Sequence, residues 1–163
     1  DLWVLPIVGD RKPRKILGND SNEQWGQISP NMRWIAYQSD ESSQFEIYVS
    51  PFPGPGGRWK VSTSGGIHPR WSRDGKELFF VPAPGQFMAT TITTSPTFTF
   101  TNPVSVPRGF GRAIPSSPRT FDMMADGRFV GVAPQQGQLG SGPAQIRVVL
   151  NWSEELKRLV PTK

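Results

Sequence analysis

The chain has 163 residues and a formal net charge of +5, with no cysteine and a single histidine, His68. This composition excludes disulfides, thiol nucleophiles, cysteine zinc sites and every site that needs two imidazoles. Glycine and proline contribute 17 residues each, well above average usage, so turns are frequent and long helices are excluded. No apolar run approaches the roughly 18 residues that a membrane span requires.

The sequence predicts short strands separated by turn signals at intervals of about ten residues, which is typical of β-sandwiches, barrels and propellers. β-Branched and aromatic residues fill most of these segments, as a pleated sheet favours. The predicted strands are 2–6, 34–38, 46–52, 58–61, 77–81, 88–93, 97–100, 129–133 and 145–150. A short helix is predicted after Trp152, with Ser153 as its N-cap and Pro161 beyond its last turn.

One pattern occurs three times along the chain: a polar turn, a basic residue and an apolar strand. The turn residues Asn31, Asp74 and Asp126 lie 43 and 52 residues apart. A four-stranded propeller blade occupies about 40–50 residues, so the spacing favours one blade per repeat. A glycine follows the turn aspartate in the second and third units, whereas Met32 stands there in the first. We expect Met32 to adopt the positive φ that such turns require, at a cost to any residue other than glycine.

These units resemble the WD-like repeat of TolB-type β-propellers, whose core runs Ser-Pro-Asp-Gly-Lys/Arg-x-Ile-Ala-Phe/Tyr, then Ser-Asp, then Ile-Tyr-Val. The matching residues of the first unit are Ser29-Pro30, 33–37, Ser39-Asp40 and Ile47-Tyr48-Val49. The stretch 48–71 and the closing stretch 148–152 are similar to propellers that follow bacterial serine/threonine kinase domains. The sequence departs from the repeat at the turns, with Asn31-Met32, Arg73 and Met124-Ala125 in place of the usual residues.

The resemblance implies an all-β fold, a partial β-propeller of about 3.5 four-stranded antiparallel blades with a short C-terminal helix. It implies a single domain made of a half blade at 1–18, full blades at 19–64 and 65–107, and a partial blade with the helix at 108–163. It also implies a non-catalytic module for protein or ligand binding, a sensor or scaffold part of a larger bacterial protein. The same resemblance favours a periplasmic or other extracytoplasmic location.

Four residues are candidates for contact with a ligand or partner. His68 is expected where an innermost strand begins, either lining the axial channel or capping the strand from an exposed loop. Arg108, Arg112 and Arg119 fall in a region between Glu77 and Asp122 that has no aspartate or glutamate.

The long loop 103–118 exceeds the usual length of connections between strands. We therefore expect it to be more mobile than the strands and to carry a binding surface. The aromatic residues are instead expected to wedge between blades rather than to stack on sugars or bases. These residues are Trp25, Trp34, Trp59, Trp71 and Phe129.

Two other functions remain open from the sequence. One is an enzyme, a hydrolase or lyase that uses His68 on the axial channel, although no Gly-x-Ser-x-Gly nucleophile motif is present. The other is a binder of anions or nucleic acid, which the net positive charge alone suggests. No calcium-loop spacing occurs, and Asp74 and Asp126 are expected to bond turn amides, so no metal or cofactor is expected.

The blade count predicts an assembly. Closed propellers have four to eight blades, more than the about 3.5 expected here. The N-terminal piece lacks an inner pair of strands, and the C-terminal piece supplies one. Two copies are therefore expected to form a homodimer that completes a ring of about six blades.

Overall fold

The computed structural model describes residues 1–54, 56–107 and 114–132, and every regular element in this part of the chain is a β-strand. The strands are β1 Leu2–Val4, β2 Arg14–Leu17, β3 Glu23–Ile28, β4 Trp34–Ser39, β5 Glu46–Pro51, β6 Trp59–Lys60, β7 Ile67–Trp71, β8 Glu77–Val81, β9 Met88–Thr93, β10 Thr99–Phe100, β11 Val104–Ser105, β12 Phe121–Met123 and β13 Phe129–Gly131. The all-β prediction is confirmed. The predicted strand 145–150 and the helix after Trp152 lie outside the described residues.

The strands pair into four antiparallel sheets that follow one another along the chain. Two hairpins, β1–β2 and β12–β13, flank two larger sheets. The first large sheet has the order β3-β4-β5-β6 and the second the order β7-β8-β9-β10, with β11 also paired to β9. Strands that are consecutive in the chain lie side by side in each large sheet, so each is a meander. The fourth position of the second large sheet is shared by β10 and β11, which both pair with β9.

The predicted strands omit β2, β3, β7, β11 and β12, although the half blade at 1–18 implies β2 and an innermost strand is expected to begin at His68. Strands β3 and β7 are rich in glutamine, histidine, proline or arginine and lack clean apolar alternation. Each of them also carries a bulge, between Gln24 and Gln27 in β3 and between Ile67 and Arg70 in β7. A bulge breaks the period of two on which strand prediction relies.

The first core cluster lies between the two large sheets. The first sheet and its flank contribute Ala36, Ile47, Val49 and Val61, and the second contributes Trp71, Leu78, Phe80, Ile92 and Phe98. Trp34 and Trp59 pack against this cluster, with ring centres 4.8 and 4.7 Å from that of Phe98. The two sheets therefore stack face to face, and apolar burial at about 25 cal/mol per Å² stabilises the stack.

The second core cluster lies between the second large sheet and the hairpin β12–β13. Its buried members are Ile67, Phe79, Val81, Phe87, Ala89 and Phe121. Phe129 packs against it, its ring centre 4.8 Å from that of Phe79 and 5.0 Å from that of Phe87. From Leu78 to Val81, successive residues of β8 alternate between the two clusters, which explains why these four residues are all apolar.

The N-terminal hairpin packs on the remaining face of the first large sheet. Leu2 lies against Gly26 on the face that also carries Ile35, since a methyl group added at Gly26 would be 3.0 Å from Leu2 Cδ1 and 3.2 Å from Ile35 Cδ1. The next residue, Trp3, is 59% exposed. The four sheets thus stack in chain order, each on the next.

The three repeated turns share one hydrogen-bond pattern. The N–H groups of Met32, Gly75 and Gly127 donate to the carbonyl three residues earlier, at 2.8, 3.0 and 3.1 Å. All three residues have positive φ, at 56°, 71° and 85° respectively. The expected conformation of Met32 is confirmed.

The turn side chains also have the same role. Asn31, Asp74 and Asp126 each accept the N–H two residues further on, at 3.1, 3.0 and 3.0 Å. Hydrogen bonds lower the pKa of both carboxyls. The largest contribution comes from the Ser72 hydroxyl for Asp74 and from the Arg128 side chain for Asp126. The turn role expected for the two aspartates is confirmed.

Replacing Met32 by glycine is expected to raise the free energy of unfolding by up to about 1 kcal/mol. A left-handed conformation costs a residue other than glycine about 1–2 kcal/mol, partly offset by the extra backbone entropy that glycine loses. The Met32 side chain is 65% exposed, so its loss removes little packing. Met32→Ala keeps the left-handed cost and serves as the control. Urea unfolding that ranks Met32→Gly no higher than Met32→Ala would contradict the argument, and Gly75→Ala should lower stability.

Candidate functional site

The first strands of three successive sheets bring equivalent residues together. The repeat offsets of 43 and 52 residues relate Trp25 to His68 and Thr120, and Gln27 to Arg70 and Asp122. Trp25 and Gln27 lie in β3, His68 and Arg70 in β7, and Asp122 in β12. We call the surface formed by these six residues the inner edge.

Trp25 and His68 occupy the bulges of their strands in the same conformation. Their φ angles are 55° and 56°, rare values for bulky residues. The two rings meet edge to face with centroids 5.1 Å apart. A strained backbone conformation is maintained only where the surroundings fix it, and here the two bulges turn both rings toward each other.

His68 is completely buried, which corrects the alternative of an exposed loop residue. Its backbone N–H donates to Gln38 Oε1 at 2.9 Å, and its Nε2 lies 3.0 Å from the carbonyl oxygen of Ser117. Because a carbonyl only accepts, Nε2 carries the hydrogen and Nδ1 is left as an acceptor. Nδ1 is buried and has no hydrogen-bond partner within the described residues.

Burial lowers the pKa of His68 below its ordinary value of 6.5. The hydrogen bond to Ser117 opposes this shift, and the positive charge of Arg119 adds to it. The imidazole is therefore neutral at pH 7.

Backbone carbonyls of the segment 114–118 cover this part of the inner edge. The carbonyl oxygen of Pro115 accepts from Trp25 Nε1 at 2.9 Å and from Gln38 Nε2 at 3.1 Å. At the other end of the predicted loop 103–118, strand β11 pairs with β9. Both described ends of the loop are thus attached to the sheets by hydrogen bonds.

The inner-edge residues Gln27, Arg70 and Asp122 form a row of polar contacts across three sheets. Arg70 donates from Nη1 to Gln27 Oε1 at 3.0 Å and pairs through Nη2 with Asp122 Oδ1 at 2.9 Å. Arg70 Nε is buried and has no partner within the described part of the chain. Arg70 therefore links β3 to β12 and is the central member of the row.

Arg119 lies immediately before Thr120, the residue equivalent to Trp25 and His68. Its Nη1 donates to the carbonyl oxygen of Pro69 at 3.2 Å, and its guanidinium carbon lies 5.9 Å from the centre of the Phe121 ring. Burial lowers the pKa of Arg119, the charge of Arg70 lowers it further, and Asp122 opposes both effects. Arg119 is thus bound to the backbone of Pro69, the residue that precedes Arg70 in β7.

Of the four candidate residues, the structure brings His68 and Arg119 together. Arg108 and Arg112 lie outside the described residues. Sequence reasoning missed Trp25, Arg70 and Asp122 as site residues. The repeat spacing could have found them. The offsets of 43 and 52 residues that relate the three turns also relate Gln27 to Arg70 and Asp122, and the offset of 43 relates Trp25 to His68.

No protein-family model matches the chain, and no curated protein matches it. Within the described ranges, no three acidic or histidine side chains are grouped so that they could hold a metal ion. A search of the same residues finds no helix with the length and apolarity to cross a membrane.

The stability of the protein is expected to fall as the pH drops below about 6.5. The folded pKa of His68 lies below the unfolded value of 6.5, so the unfolded state binds more protons in this range. One proton limits the slope to about 1.4 kcal/mol per pH unit. The pKa values of Asp40, Asp74 and Asp126 are lowered from 3.8, so protonation of these carboxylates reduces stability only at pH values below this range.

Thermal or urea unfolding between pH 7.5 and 5.0 tests this expectation. His68→Asn is the control, because asparagine tolerates positive φ and does not titrate. The wild type should lose stability across this range while the variant changes little, whatever its starting stability. Equal slopes for the two proteins would show that His68 is not the group responsible.

Proposed function

We propose that this chain is a non-catalytic binding module, part of a TolB-like β-propeller, with the inner edge as its ligand- or protein-contacting face. The observation that carries the proposal is the equivalence of β3, β7 and β12, which align Trp25 with His68 and Gln27 with Arg70. Propellers arrange the first strand of each blade around a central channel, and channels of this kind are common ligand sites. The module would serve a larger bacterial protein as a sensor or scaffold.

Three further features support a propeller-type arrangement. Each large sheet is a meander of consecutive strands, and the sheets stack through shared apolar clusters. The turns repeat the same hydrogen bonds, conformations and spacing. The resemblance of the first unit to TolB-type repeats adds to these features.

The environment of His68 favours binding over catalysis. Its described contacts are the Gln38 side chain, the Ser117 carbonyl and the Trp25 ring, none of which is a nucleophile or a carboxylate. A general base of the serine-hydrolase kind needs both within hydrogen-bond reach. We therefore assign His68 a role in positioning the inner edge.

We also propose that a second copy of the chain completes the ring. In this proposal the hairpin β1–β2 would supply the outer two strands of a blade, and β12–β13 the inner two. Apolar side chains are exposed at both ends of the stack, including Trp3 at 59%, Leu5 at 58% and Val130 at 56%. Pairing the two ends across a two-fold axis would cover these residues and the edges of the hairpins.

Sedimentation velocity tests the assembly. The wild type should sediment with a mass of about twice 18.1 kDa. The double change Trp3→Lys and Leu5→Lys should give a monomer, since it places charge on the end of the stack. Met32→Lys, in an exposed turn away from both ends, should remain dimeric. A wild type that stays monomeric at high concentration would overturn the homodimer.

A further inference from the structure

We propose that Arg70 and Arg119 form a binding site for a carboxylate group at the inner edge. This inference rests on the proposed binding function and names the chemical class of its ligand. It deepens the assignment of Arg119, which the sequence suggested only through the absence of nearby acidic residues.

The charge balance of the site supports an anionic ligand. Arg119 donates to the carbonyl of Pro69, the residue before Arg70, and Arg70 pairs with Asp122, so two positive charges and one negative charge lie in this part of the inner edge. The Arg70 side chain is 29% exposed and that of Asp122 is 58% exposed, so the pair can be reached from solvent. Half-buried cations of like sign are unfavourable close together unless an anion joins them. One additional negative charge would make the cluster neutral.

Unused donors are present at the same place. The described hydrogen bonds of Arg119 account for one of its nitrogens, which donates to the Pro69 carbonyl. Arg70 Nε and Thr120 Oγ1 are both buried and without partners within the described residues. A buried donor that loses water without gaining an acceptor lowers stability by about 1–3 kcal/mol. A ligand oxygen would supply the missing acceptor, and a planar carboxylate matches the fork of a guanidinium.

The net charge favours a carboxylate over a phosphate. A carboxylate carries one negative charge, which equals the excess of the cluster. A phosphate monoester carries about −1.5 to −2 at neutral pH and would leave the partly buried cluster negative. The site therefore fits a small carboxylic acid or an acidic side chain of a peptide, which share the same group.

Guanidinium NMR of the full chain with acetate as the probe tests the site, because acetate carries a single negative charge. The Nε–H signals of Arg70 and Arg119 should shift saturably at constant ionic strength, whereas neutral acetamide should have no effect. Arg119→Gln should weaken acetate binding by about tenfold or more, and Arg119→Lys by less. Arg33→Gln, in an exposed turn, is the matched control and should bind as the wild type does.

Peptide probes separate the two sources of the carboxylate. A capped tri-glutamate peptide that binds more tightly per carboxylate than acetate, with capped tri-glutamine inactive, would identify an acidic peptide. Equal affinity per carboxylate would identify a small acid, and either result supports the site. Inorganic phosphate binding more tightly than every carboxylate would overturn the assignment.

Other outcomes distinguish this site from the ring proposal. If Arg119→Gln unfolds the protein, Arg119→Lys and the Arg70 signal still report on acetate binding. Absence of saturable shifts in a dimeric wild type would overturn the carboxylate site alone. Saturable shifts in a monomer would support the site and overturn only the second copy.

Discussion

The second large sheet is apolar on both faces, and the arrangement of the other sheets depends on this. Leu78 and Phe80 face one neighbour, and Phe79 and Val81 face the other. A sheet of this kind is stable only with a layer on each side, so it fixes the first large sheet on one side and β12–β13 on the other. Stacking by apolar contact then aligns the first strand of each sheet. The inner edge is a result of that alignment, and its polar contacts join strands that the core has already brought together.

In the described part of the chain, two of the five non-glycine residues with positive φ and three of the four buried side-chain atoms without a hydrogen-bond partner lie at the inner edge. Two bulky residues at positive φ meet there, and a histidine nitrogen and an arginine nitrogen are buried without described partners. Each of these features reduces stability in isolation. Their presence together at one edge supports the proposal that this edge is a binding face, because departures from local folding rules collect at functional sites.

The middle strands of the second large sheet and the repeated turns could be predicted from the sequence because they obey local rules. Glu77–Val81 and Met88–Thr93 were predicted with the bounds that the structure gives them, since apolar and β-branched residues make up most of both. The positive φ of Met32 followed from its position in a repeated turn. The inner strands could not be found in the same way, because Trp25 and His68 sit in bulges that interrupt the alternation. His68 and Arg119 were selected for their residue types, but their neighbours Trp25 and Arg70 come from a different sheet or from an unpredicted strand. Only the three-dimensional stack reveals those neighbours.

The contacts that close the segment 114–118 over the inner edge have a consequence for sequence variation. On the segment's side they use backbone oxygens, those of Pro115 and Ser117, while the sheets supply the side chains of Trp25, Gln38 and His68. Every residue type has a backbone carbonyl group, so these hydrogen bonds do not depend on which side chains the segment 114–118 carries. They require only that its backbone follows the same path. The residues beneath this segment are constrained by chemistry, because only particular side chains place a donor at those distances. Natural variants of this protein are therefore expected to differ more within the segment 114–118 than at Trp25, Gln38 and His68.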